Sequence, residues 1–226
     1  MTTAGVRQPP PGAIPAPAPA AARPAVAGLR LARLYLVSRR IPAALALVAG
    51  LGALLWASLN WRWTIAGGSA AQELMPLVVE TGAAAIIAVT TYGPFGEPER
   101  AAGRWLPWLR LGAALVLTAA AFGVLAAGAT GGALAGGTTA LLRNLAGVTG
   151  LGLLCAAVLG GAFGWVGPMT YWLIVEAGLA AGWTTPWLWP ARPPHDRGAA
   201  ICAALVFAAG TVVITVRGTR EHVGGG

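Results

Sequence analysis

The sequence predicts an all-α fold, a polytopic transmembrane helical bundle of six spans preceded by an N-terminal interfacial helix. Three observations lead there. Of 226 residues, 57% are hydrophobic and only 10% charged, against about 25% charged in a soluble domain. Mean hydropathy is +0.70, and runs of about 18 or more apolar residues, the length a helix needs to cross lipid, recur along the chain. The arginines, finally, gather in alternate segments between those runs, as the positive-inside rule requires.

Residues 1–27 are rich in Pro, Ala and Gly, with Pro9-Pro10-Pro11 followed by Pro-Ala alternation, and contain no aromatic residue. Such a stretch buries too little to offset its ordering entropy and is expected to form a disordered cytoplasmic tail. Residues 28–40 place Leu31, Leu34 and Tyr35 on one helical face and Arg30 with Arg33 on another. That segregation suits an amphipathic helix lying on the membrane surface; a basic flank that orients the first span explains the same arginines.

The spans follow in residues 41–216. The first, Ile41–Leu59, ends in Asn60-Trp61-Arg62-Trp63, an aromatic belt at the far interface. After an outer turn, Gly67–Gln72, the second returns over Leu74–Tyr92. Gly93–Arg110 is the internal segment densest in charge, with Glu97, Glu99, Arg100, Arg104 and Arg110. The third span is Leu111–Ala129, and the fourth runs from about Ala140 to Gly161. A Gly-rich turn leads to the fifth, Val166–Gly182. Trp183–Arg197, with three Trp and four Pro, forms an outer loop suited to a re-entrant or interfacial structure. The sixth span is Ala199–Val216, and residues 217–226 form a cytoplasmic tail. With both ends cytoplasmic, eleven arginines lie inside, in residues 7–40, in 100–110 and at 217 and 220; Arg62, Arg143, Arg192 and Arg197 lie outside.

Composition also excludes functions. Net charge is +8 without a single lysine. A P-loop needs Lys on the phosphates, so this chain cannot carry one. No basic face joins a reading motif, so no nucleic-acid partner is expected; the arginines suit anionic headgroups better. Cys155 and Cys202 lie singly in apolar runs, which offers neither a zinc site nor redox chemistry. His195 lies in the outer loop and His222 in the tail, so neither suits axial haem ligation within a bundle. No metal site, catalytic residue set or cofactor of the chain's own is expected, and the chain reads as a non-enzyme.

Ionisable groups inside spans are costly and are candidates for function. Three occur: Glu80, Arg143 and Glu176. Counting about 1.5 Å per residue, all three fall in the outer half of the bilayer. Arg143 is expected to pair with Glu80 or Glu176, with Asn144 completing the hydrogen bonding. An interhelical ion pair that fixes packing and a proton or substrate relay both fit such a cluster.

The layout resembles the permease subunit of six-span ABC exporters of the type-2 kind, including uncharacterised actinobacterial-like members. A basic interfacial helix, a charged loop after span two and the largest outer loop between spans five and six bear the resemblance. The phrases Tyr92-Gly-Pro-Phe-Gly-Glu-Pro-Glu-Arg100 and Leu142-Arg143-Asn144-Leu145 look like segments of that family. The resemblance implies that Phe95, Glu97, Glu99, Arg100, Arg104 and Trp105 form a coupling helix that docks a nucleotide-binding ATPase subunit. ATP and Mg would then sit on that partner, a second permease subunit, identical or not, would complete a dimer, and a hydrophobic or amphipathic substrate would be exported across the cell membrane. Residues on spans one, two and five, Glu80 and Glu176 included, would lie near the pathway. The small, Trp/Pro-rich outer segment and the long N-terminal tail depart from the family pattern. An ordinary orienting loop explains the arginines of Gly93–Arg110 as well. A membrane scaffold or accessory subunit of another complex is the alternative; a membrane-bound biosynthetic enzyme lacks candidate nucleophiles or metal ligands.

Overall fold

A computed structural model describes residues 40–60, 69–90, 106–130, 132, 134 and 136–217. The proposed tail and interfacial helix, most of the Gly93–Arg110 loop and the C-terminal tail lie outside these residues. Within them the chain is all-helical. It contains α1 (Ile41–Asn60), α2 (Ser69–Thr90), α3 (Leu106–Gly128), α4 (Gly137–Leu159), α5 (Val166–Ala180) and α6 (Arg197–Arg217). Two single 3-10 turns, Gly161–Phe163 and Trp189–Ala191, punctuate the last third.

Among the described residues, four helices are long and apolar enough to cross a membrane: Ile41–Asn60, Pro107–Gly128, Gly137–Leu159 and Arg197–Arg217. The other two are α2 and α5. For α2 the apolar stretch is Met75–Thr90, within a helix of 22 residues, Ser69–Thr90, so the shortfall in length belongs to α5. The α5 helix has 15 residues, about 22 Å at 1.5 Å per residue, less than the roughly 30 Å of a hydrocarbon core. Gly182, at φ 69°, closes α5 by a left-handed turn in which Trp183 N–H donates to Gly178 O at 2.9 Å, a C-terminal cap that a side chain with a Cβ resists. Other boundaries also shift. Helix α2 begins at Ser69, inside the expected outer turn, and α3 begins at Leu106, so the end of the charged loop is helical. Pro107 is accommodated because N–H groups of a first turn need no intrahelical acceptor.

The helices alternate in direction. Residues 52 and 59 of α1 meet residues 124 and 132 at and beyond α3: a Cβ on Gly52 would touch Val124, and one on Gly132 would come within 2.7 Å of Leu59. Both numbers rise together, so α1 and α3 run the same way. Glu80 of α2 faces Asn144 of α4, and Ala88 faces Gly152, so α2 and α4 are also parallel. So are α4 and α6: Gly150 lies on Val206 and Phe207, and Leu153 and Ala157 pack with Ile214. In contrast, Gly167 at the start of α5 meets Leu151 and Cys155 of α4, which makes α4 and α5 an antiparallel hairpin.

Helix α4 is the centre. Its most apolar window is 67% buried, against 28–33% for α1, α3 and α6. Its small residues explain why. A Cβ at Gly150 would stand 2.6 Å from the Phe207 backbone, and one at Gly210 would meet the Gly150 carbonyl, so α4 and α6 touch backbone to backbone. In lipid, helices associate through such close packing, since lipid tails are as apolar as the helices themselves. Some hydroxyls of the bundle are satisfied locally: Thr118 of α3 donates to Ala114 O at 2.7 Å, and in α6 Thr211 donates to Phe207 O at 2.7 Å and Thr215 to Thr211 O at 2.6 Å. Each occupies a carbonyl one turn back and keeps the polar atom paired in an apolar setting.

Candidate functional site

The α5–α6 connection dips into the bundle. Leu188 and Trp189 are 0% and 2% exposed, packed with Leu77 and Ala84 of α2, Val148 of α4, Tyr171 and Val175 of α5 and Ala199 and Ala203 of α6. The Trp189 ring stacks on Tyr171 with centroids 4.5 Å apart and planes at 25°. It lies over Gly147, where a Cβ would come within 2.5 Å of the indole. Glycine there makes room for the tryptophan. Outside the buried stretch, Trp183 and Trp187 meet edge to face at 6.1 Å and are exposed.

Polar bonds tie the loop at several points. Tyr171 Oη donates to Trp187 O at 2.9 Å. The Arg143 guanidinium reaches up from α4 and donates to Pro193 O at 2.7 Å and Arg192 O at 3.1 Å. A planar fork suits two neighbouring carbonyls, as an ammonium does not. Arg192 in turn pairs with Asp196, Nη2 to Oδ2 at 2.6 Å, and donates to Thr184 O at 2.9 Å. Asp196 precedes the first residue of α6 and accepts the Ala199 N–H on Oδ1 at 2.9 Å, an N-cap. That bond first, and then Arg192, hold the Asp196 carboxyl below its ordinary value of 3.8.

Beneath the loop is a pocket of about 420 Å³. It sits where α2 and α4 begin and α5 ends. Glu80, Arg143 and Asn144 line it together with Leu77, Leu141, Leu179 and the Pro190–Pro194 segment. Glu80 is 2% exposed, one turn deeper along α2 than Pro76, and forms the floor. The Asn144 side chain and the Arg143 charge are the groups that act on its carboxylate. Its Oε2 is buried with no hydrogen-bond partner.

The structure thus brings three of the four expected polar residues to one place and leaves Glu176 out of the lining. Tyr171, Val175 and Gly178 form the buried face of α5. Glu176 follows Val175 by one residue, about 100° around the helix; it is half-buried, with Oε1 buried and without a hydrogen-bond partner, away from the pocket lining. The expected direct pairing of Arg143 with a carboxylate is replaced by bonds to loop carbonyls, and Nε faces Asn144 Oδ1 at 3.4 Å. Trp189, Tyr171 and Asp196 were not among the residues singled out from the sequence. Only Asp196 had a local signal, an Asp three residues ahead of Ala199 at the start of an apolar run. The six residues expected to dock an ATPase, Phe95, Glu97, Glu99, Arg100, Arg104 and Trp105, lie outside the described residues. Among the described residues, no cluster of three or more His, Cys, Asp or Glu could hold a metal ion. No family model matches the sequence, and comparison with curated proteins and with solved structures gives no match.

Proposed function

We propose that this chain is the membrane-spanning permease subunit of an ABC-type exporter, moving a hydrophobic or amphipathic substrate across the cell membrane with ATP hydrolysed by a separate subunit. The pocket under the α5–α6 loop is the observation that carries the reading. It has ligand size, apolar walls and a few convergent polar groups, the usual makeup of a small-molecule site. Alternation of the helices supports six crossings, with both termini and Gly93–Arg110 cytoplasmic and the pocket at the outer end. In that arrangement the segment between α2 and α3 faces the cytosol, where Phe95 to Trp105 would grip the ATPase. Two such subunits would form the working dimer.

A non-transporting accessory subunit is the second reading. It is favoured by the density of bonds holding the loop shut, since a gate must open and Arg143, Tyr171 and Asp196 all resist opening. Purification of the full chain in mild detergent, with identification of the chains bound to it, separates the two. A co-purifying P-loop ATPase, lost on Glu97→Lys/Arg104→Glu substitution, is the expected result. Recovery of an unrelated complex and no ATPase would reject the exporter.

A further inference from the structure

The polar groups around the pocket are unevenly satisfied. Arg143 spends all three guanidinium nitrogens inside the protein, on Pro193 O, Arg192 O and Asn144 Oδ1. Arg192, the other cation in the lining, likewise spends its three on Asp196 Oδ2 and Thr184 O. Asn144 turns its Oδ1 to Arg143, which leaves its amide N–H for Glu80. Each guanidinium keeps two further N–H donors, but among the side-chain polar atoms of the described lining residues Glu80 Oε2 is the one buried with no partner at all. A carboxyl oxygen has two lone pairs to offer, yet Oε2 has no hydrogen-bond partner. A buried acceptor left unmade is costly, and a donor brought by a ligand would remove that cost.

We infer that the pocket floored by Glu80 binds an organic amine cation with an apolar body. The amine would donate to Glu80 Oε2, and its hydrocarbon would lie against Leu77, Leu134, Leu141 and Leu179. An anion would have to share Arg143 with the loop carbonyls and Arg192 with Asp196, and would face the Glu80 carboxyl group. The volume of about 420 Å³ falls within the range of about 300–1,000 Å³ usual for drug-sized ligands. The inference rests on the pocket being a substrate site and names the class of cargo.

Calorimetric titration of the full chain in detergent with benzylammonium, benzyl alcohol and benzoate tests it, because the three share one apolar body. Benzylammonium is expected to bind at least tenfold more tightly than the other two, and Glu80→Gln to erase that preference. Leu179→Trp, which leaves the carboxylate in place and fills the pocket, is expected to abolish binding of all three. Equal or tighter binding of benzoate, no binding of benzylammonium, or an unchanged preference in Glu80→Gln would overturn it. None of these measurements needs an ATPase, so amine binding by a chain that captures no ATPase would sink the exporter and leave the amine site standing.

Discussion

Gly147 and Trp189 are a matched pair: a Cβ on Gly147 would stand 2.5 Å from Trp189 Cζ2, and the indole is 2% exposed. The ring is far from flexible, since Tyr171 stacks on its other side. Gly147→Ala is therefore expected to destabilise by about 1–3 kcal/mol, the usual cost of overpacking. Trp189→Ala should cost about 3–5 kcal/mol, as large-to-small changes in cores do. The two are coupled. In thermal unfolding of the detergent-solubilised protein, Gly147→Ala should cost much less when residue 189 is Leu than when it is Trp; equal costs in both backgrounds would show that the ring does not depend on residue 147.

Arg143 gives up two carbonyls when removed. Arg143→Met keeps the apolar stem and leaves Pro193 O and Arg192 O without their donor, at about 1–3 kcal/mol for each buried group left unmade. Arg143→Lys is expected to fall between, since an ammonium lacks the fork that serves both carbonyls. Melting temperature orders the three proteins, and protease sensitivity near residue 192 reports whether the loop has come free.

Tyr171→Phe isolates a single bond. It retains the stack on Trp189 and removes the donor to Trp187 O, for an expected loss of about 0.5–1.5 kcal/mol. A loss beyond that range would mean that the hydroxyl does more than hold Trp187.

Asp196 predicts a pH response of the loop. Its carboxyl is held below the ordinary 3.8 by the Ala199 N–H and by Arg192, so the folded form prefers it ionised. The contribution is present above pH 3.8 and is lost as pH falls through the depressed folded value. Protonation ends both the cap and the ion pair. Hydrogen exchange of the Ala199 amide should stay slow above pH 4 and rise relative to its neighbours below it, while Asp196→Asn, which keeps a capping oxygen, should flatten that rise.

Six helices lie where long apolar runs lie in the sequence, because hydropathy and length are properties of a segment by itself. That Glu80, Arg143 and Asn144 belong to one cluster was equally legible, since ionisable groups within apolar runs gather, and Glu80 and Asn144 meet. The partner of Arg143 was not. Backbone carbonyls at residues 192 and 193 have no sequence signature, whereas carboxylates do, so counting charges pointed to Glu80 or Glu176. The burial of Leu188 and Trp189 was hidden for a related reason: the Trp/Pro-rich loop Trp183–Arg197 suits a re-entrant or an interfacial structure equally well. Only Gly147, forty-two positions away from Trp189, decides between them.

The shortfall in length is all on one flank. The α5 helix has 15 residues, while its neighbour α2 has 22 and α1, α3, α4 and α6 have 20 to 23. A bilayer of uniform thickness cannot match both sides. Acyl chains beside α5 would have to shorten or tilt, which costs fractions of a kcal/mol per Å and leaves a dimple against one side of the protein, the side on which the α5–α6 loop enters the bundle. Lipids with shorter tails should relieve that distortion, so the protein is expected to melt at a higher temperature in them than in thick, sterol-rich membranes.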